Sequence, residues 1–402
     1  MAKKKKQQKV SKSLSPIPSQ SQPSQPAEQG QIIPLNLGQI LKDFRLKTNK
    51  SLIQDIMDKR NGTPLLSLVL TERAQLMPPI ILPIFDVLKS IGKKEKLDLF
   101  LSSTGGATEV PWRIVSLIRE FCKSYSAIIP FAALSAGTHI ALGADSLLMS
   151  EISTLGPVDP TTRHPLQPLD KSGKPVPVSV EDLKNCIKFI TQQLKDQNES
   201  EKYSPTDMTE IVGKFFEHIE PLTIGAVERS YALSRLITRK VLETHLDSSK
   251  EKQKIDRIVD KIGGEYFSHA FPITRRDVEQ ELQLKVEKPD NDLFEAIWRL
   301  HTYYGGAFSQ TGSLGISMEG RDPKGNVTRK DLNFIVRVIG YIDSLSERRV
   351  LVQLRQPEKD PKSDTVEEKI IFTGWIKPNP AELSEQDRNF FLPTAQNPPS
   401  NT

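Results

Sequence analysis

The chain has 402 residues, 26% charged and 37% hydrophobic, which is enough to bury a sizeable core in one large domain with appendages or in two domains. Its formal net charge of +5 resides in the first thirty residues, where six lysines (Lys3, Lys4, Lys5, Lys6, Lys9, Lys12) face Glu28 alone. The body is therefore neutral and carries no electrostatic footprint for nucleic acid. No run supplies the roughly 20 apolar residues of a spanning helix, so no transmembrane segment is expected.

Residues 1–35 are rich in Lys, Gln, Ser and Pro; they bury too little to repay the entropy of ordering and are expected to be disordered. The lysines are followed by Ser, Pro and Gln instead of the apolar stretch of an export signal. A first helix patterns over 41–60 and closes at Asn61-Gly62. The run LLSLVL at Leu65–Leu70 is a strand covered on both faces. A helix follows over 79–91, a strand over 97–101, a helix over 110–121, a strand over 127–131, a small-residue helix over 136–142 and a strand over 146–149. Apolar strands alternating with amphipathic helices predict a largely parallel α/β sheet of βαβ units. Its ligand chemistry should gather at the carboxyl ends of the strands.

Beyond Gly156 a Pro-rich connector covers 157–177, long enough to serve as a binding segment. Ser179 with Asp182 opens a helix running to 195, and further helices pattern over 207–218, 225–245, 253–262, from Thr274, and over 292–304. The chain then turns to β: 334–342 and 350–355 form a hairpin around 344–348, with 369–375 as a third strand. These shifts divide the chain into a tail (1–35), a core domain with a helical extension (36–265), a small C-terminal helical and β-hairpin region (266–380) and a flexible end (381–402). Cys122 and Cys186 lie in apolar patterns without metal-ligand spacing, as buried thiols of a reducing cytoplasm do. No phosphate loop, zinc spacing or other metal pattern appears, and no cofactor is expected.

Two motifs carry chemistry. Ser102-Ser103-Thr104-Gly105-Gly106 ends the 97–101 strand, and its paired glycines let backbone amides turn inward without Cβ obstruction. Such amides suit an oxyanion site, where they stabilise charge as it develops. Ala133-Leu134-Ser135-Ala136-Gly137 stands at a strand-to-helix junction, where Ser135 can expose its hydroxyl and the Ala136 amide can point at the same spot. Either motif alone is what a turn or an N-cap supplies. Both fall at carboxyl ends of predicted parallel strands with one helix between them, so the fold can bring them to one crevice.

The blocks 99–106, 129–138, Gly143-Ala144-Asp145 and Leu155-Gly156-Pro157-Val158-Asp159-Pro160, with His269-Ala270-Phe271-Pro272-Ile273 and the helix around Trp298, resemble the serine dehydrogenase proteinase family in the expected order. That family is similar to the Clp-protease and signal peptide peptidase A branch of the ClpP/crotonase superfamily, and the resemblance covers roughly 65–304. It implies a ClpP/crotonase-like fold with Ser135 as a serine-peptidase nucleophile. It further implies Gly106 and Ala136 as oxyanion amides, Gly105 as the turn before them, peptide or unfolded-protein substrates and assembly into a homo-oligomer.

A serine hydroxyl needs a base at neutral pH. The family's relatives use a His with an Asp, or a Lys, and here Gly156-Pro157-Val158-Asp159 contains no His. His164 in the connector, Lys184 in the following helix and Asp159 at the lip of the crevice are the candidates. His139, one turn after Ser135, reads as a packed core residue, and Lys188 as part of a solvated face. Two other functions fit the same fold: a peptide-binding scaffold without an effective base, and a crotonase-type enzyme holding a thioester enolate on the same amides. An α/β-hydrolase would want Gly where Ala133 stands.

Overall fold

The computed structural model describes residues 49–158, 161–162, 178–179, 188, 213, 221–309, 311–321, 327–359 and 366–377. Helix α1 (Lys50–Lys59) ends where Asn61 and Gly62 take positive φ of 56° and 73°, a left-handed turn that feeds β1 (Leu65–Leu70). Then come α2 (Ile81–Ile91), β2 (Lys94–Ser102), α3 (Val110–Phe121), β3 (Cys122–Ile129), β4 (Ala132–Ala133), α4 (Ala136–Leu142), β5 (Ser146–Met149) and β6 (Thr154–Leu155). A two-residue ribbon follows, β7 (Thr161–Thr162) with β8 (Val178–Ser179), and then α5 (Pro221–Leu242), α6 (Lys252–Asp260), β9 (Ile273–Thr274), α7 (Arg275–Gln280), β10 (Val286–Glu287) and α8 (Asn291–Phe308). Four long strands finish the chain: β11 (Thr311–Arg321), β12 (Val327–Asp343), β13 (Arg348–Lys359) and β14 (Val366–Ile376).

The main sheet runs β10-β5-β3-β2-β1-β12-β13-β14, with β11 on β12. From β10 to β1 every pairing is parallel; β12 then joins β1 antiparallel, with Leu68 opposite Ile342. The predicted α/β sheet is thus present, and the C-terminal strands extend it. All six residues of β1 are buried. Leu66, Leu68 and Leu70 pack with α2, α3, α4, α5 and α6, whereas Leu65 and Val69 pack with α1 and α8 on the other face. Each such buried aliphatic side chain contributes roughly 1.5–3 kcal/mol before entropy is counted. Ile339, Ile342, Leu351 and Trp375 belong to the first of these cores and Tyr341, Val350 and Val352 to the second, so the late strands finish cores that the early ones begin.

A buried polar cluster fixes this junction. Asp343, at the end of β12, accepts hydrogen bonds from Arg348 Nε at 3.0 Å, Asn49 Nδ2 at 2.9 Å and Tyr304 Oη at 3.0 Å. Burial pushes the Asp343 carboxyl up and Arg348 opposes it. At the amino ends of the parallel strands, Arg60 holds Asp98 through Nε at 2.9 Å and Nη2 at 3.1 Å, and Glu287 of β10 through Nη1 at 2.7 Å.

The helices sensed at 41–60, 225–245, 253–262 and 292–304 appear with shifted ends, the last as Asn291–Phe308; residues 41–48 of the first lie outside the described residues. Most of the 157–177 connector, most of the helices expected over 179–195 and 207–218, Cys186 and the two tails also lie outside them. Among the described residues no helix is long and apolar enough to cross a membrane, and no cluster of His, Cys, Asp and Glu could hold a metal ion. Cys122 is a buried free thiol whose pKa burial pushes up to about 11.

Candidate active site

The site grows from what β2 does at its carboxyl end. There Ser103 forms an isolated parallel bridge with Ala133: Ser103 N donates to Ala132 O at 3.3 Å and Leu134 N to Ser103 O at 2.8 Å. Three residues on, Gly106 bridges in the same way to Leu76 on the other side, with Leu76 N donating to Gly105 O at 2.9 Å and Ala107 N to Leu76 O at 2.9 Å. The glycine segment is therefore wedged between two neighbouring backbones.

That wedge explains the glycines. Gly105 has φ +117°, and a Cβ there would lie 2.9 Å from Ser135 Cβ and 3.2 Å from Ser135 Oγ. A Cβ on Gly106 would lie 2.4 Å from both the N and the O of Leu76. Neither position has room for a side chain, and Gly105 also holds a backbone conformation that L residues rarely adopt. The peptide between the two glycines is trans, so its C=O and N–H point in opposite directions. Its carbonyl accepts from Leu76 N, which leaves the Gly106 N–H aimed away from Leu76.

Ser135 itself sits between β4 and α4 with φ 51° and ψ −116°. This is a strained conformation for a residue with a Cβ, of the kind that persists where surrounding contacts impose it. Two backbone bonds impose it here: Gly137 N to Leu134 O at 2.8 Å and His139 N to Ser135 O at 3.2 Å. Ser135 is half-buried and its hydroxyl makes no cap bond to α4, which removes the N-cap explanation for this serine. Among the described residues neither the Gly106 nor the Ala136 amide has an acceptor. Of the residues singled out in the sequence, Gly105 lies against Ser135, while Gly106 and Ala136 are their next neighbours in the chain.

Thr138 was not foreseen. Its Oγ1 lies 2.8 Å from both Ala133 O and Gly156 O and accepts from Gly156 N at 3.1 Å. It thereby ties the Ser135 turn to the strand that leads into the connector. The signal for it was slight: a buried threonine one turn into a helix of small residues. Leu76 was missed as well, because its part is played by its backbone and no residue type records that.

His139 points away from the hydroxyl. Its Nε2 lies 3.0 Å from Thr238 Oγ1 and 3.3 Å from Ser234 O on α5, and burial lowers its pKa to about 4. It is a packed, neutral ring, as its apolar setting in the sequence implied. Beside it Ser234 Oγ donates to Val158 O at 2.6 Å, and Val158 N donates to Ile262 O at 3.1 Å, so the chain is pinned between α5 and the turn after α6 just before Asp159. Asp159, His164 and Lys184 lie outside the described residues; Lys188 is exposed.

Residues 81–234 match the family described as ClpP-like SDH-type serine proteinase. Two uncharacterized proteins of Methanocaldococcus jannaschii are relatives. One is 24% identical over 235 residues, covering 51% of this chain and 78% of that protein; the other is 28% identical over 125 residues, covering 30% and 41%. Among solved structures, a membrane-bound stomatin-specific protease in complex with a substrate peptide matches 54% of this chain and 71% of its own at 14% identity and a TM-score of 0.28. ClpP1 from Listeria monocytogenes matches 59% and 99% at 11% identity and a TM-score of 0.29. The segment of this chain that is similar to the ClpP-like SDH-type serine proteinase family is thus the one that holds both the Gly105-Gly106 turn and Ser135.

Proposed function

We propose that this protein is a serine peptidase that cleaves peptide or unfolded-protein substrates through an acyl-enzyme on Ser135. The observation that carries the reading is the juxtaposition of a strained Ser135, whose hydroxyl makes no cap bond, with a Gly105 at which the serine side chain leaves no room for a Cβ. In this reading Ser135 Oγ attacks the scissile carbonyl as a base takes its proton. The Gly106 and Ala136 amides then stabilise the oxyanion, and the proton passes to the leaving amine. Water next attacks the ester carbonyl as the same base accepts its proton, and the acyl carbon–Oγ bond then breaks, with the base returning the proton to Ser135 Oγ as the acid is released. Asp159, His164 and Lys184 are the proposed bases or base-orienting groups. The cytoplasm is the proposed compartment, and self-association the proposed way of sheltering the crevice.

A fluorophosphonate probe tests this directly: the wild-type protein should be labelled and Ser135→Ala should not. Unchanged labelling of that variant would remove Ser135 as nucleophile, and a folded wild type that resists the probe would favour a peptide-binding scaffold. Comparing Asp159→Ala, His164→Ala and Lys184→Ala across pH assigns the base; full activity in all three places it elsewhere.

A further inference from the structure

β14 closes one end of the main sheet and pairs only with β13 among the described strands. Its other edge is an eleven-residue row of backbone donors and acceptors, the kind of edge that recruits another strand unless something blunts it. Here the side chains advertise the edge instead: Val366 is 64% exposed, Ile370 52% and Ile371 46%. Glu367 and Lys369 are also exposed and have no ion-pair partner among the described residues. Glu368, between them, is held by Arg337 at 2.9 Å and Arg355 at 3.0 Å.

We propose that β14 pairs antiparallel with β14 of a second copy of this chain, joining two sheets across a two-fold axis. The sequence VEEKI at 366–370 is complementary to itself in one register. A two-fold axis perpendicular to the sheet keeps every side chain on its own face, so only positions an even number of residues apart can stand opposite each other. Centring the axis on Glu368 places Glu367 opposite Lys369 of the second copy and Val366 opposite its Ile370, each twice by symmetry. The two Glu368 carboxylates meet at the axis, and each is already neutralised by its own Arg337 and Arg355. The bulge between Leu354 and Arg355 falls opposite Ile371, which leaves 366–370 as a regular stretch able to pair. Opposite charges and apolar pairs at facing positions both favour association, whereas facing like charges oppose it.

The test is the oligomeric state of the full chain by sedimentation velocity and light scattering over a range of concentrations. The wild type should form dimers. Glu367→Lys and Lys369→Glu each convert two facing attractions into two repulsions, and each should weaken the dimer about tenfold. The combined E367K/K369E exchange restores both attractions and should restore the dimer, which also shows that the substitutions leave the fold intact. A wild type that stays monomeric throughout, or association that neither single reversal weakens, would overturn the proposal. The inference does not rest on the peptidase reading, since fluorophosphonate labelling of Ser135 is read separately.

Discussion

Gly105 and Ser135 stand so close that a Cβ added to the glycine would lie 3.2 Å from the serine Oγ. Two residues thirty positions apart in the chain thus determine each other: the turn requires a residue without a side chain because the serine side chain, Cβ first and then Oγ, occupies the space. Gly105→Ala should push the Ser135 side chain aside by a fraction of an ångström to an ångström. It should slow fluorophosphonate labelling about a hundredfold, the scale of loss expected when a reacting group is displaced that far. Cooperative thermal unfolding of the variant would show that the loss is local.

Ser135 holds φ 51° and ψ −116°, a conformation that costs a residue with a Cβ on the order of 1–3 kcal/mol and costs glycine much less. Ser135→Ala and Ser135→Gly should both abolish labelling, but they should differ in stability. The glycine variant is expected to be more stable than the alanine variant by about 1 kcal/mol, read by chemical denaturation. Equal stabilities would mean that the strain is relaxed in solution.

Thr138 joins Ala133, Gly156 and α4 through one hydroxyl. Thr138→Val keeps the shape and leaves buried backbone groups unpaired, at a cost of about 1–3 kcal/mol. Because the Ser135 turn is anchored there, labelling should slow as well. Thr138→Ser, which keeps the hydroxyl, should recover most of the labelling rate; failure of that rescue would mean that the methyl group matters more than the hydrogen bonds.

His139 is neutral in the folded protein, with a pKa lowered by burial from 6.5 to about 4. The unfolded chain takes up this proton at higher pH than the folded chain does. The stability it contributes is therefore fully present above pH 6.5 and is lost as the pH falls toward 4, at a scale of about 3 kcal/mol. The buried carboxyls of Asp98 and Asp343, pushed up by burial, slope the other way. Comparing wild type with His139→Gln at each pH cancels their part, and the variant should lose less stability between pH 7 and 4. Parallel curves would show that the ring already titrates near its ordinary value.

The local elements of the core were legible because each has its own period. β1 is a continuous apolar run since both its faces are covered, and α3 repeats Ile114, Leu117 and Ile118 at helical spacing because one face meets the sheet. Residues such as Leu76 and Thr138 left little trace: a backbone bridge has no residue type, and a threonine hydroxyl says nothing of which carbonyls it will meet.

By itself, then, the chain of residues determined the alternation of strands and helices, the glycine pair and the serine that ends a strand, because local sterics and hydrophobic periodicity are written position by position. Only the tertiary structure decided that Gly105 packs against Ser135, that His139 turns to α5 instead of the hydroxyl, and that β12 pairs with β1. These are contacts between distant segments, and they are fixed by the sharing of two hydrophobic cores and by the pairing of buried polar groups, which no local window contains.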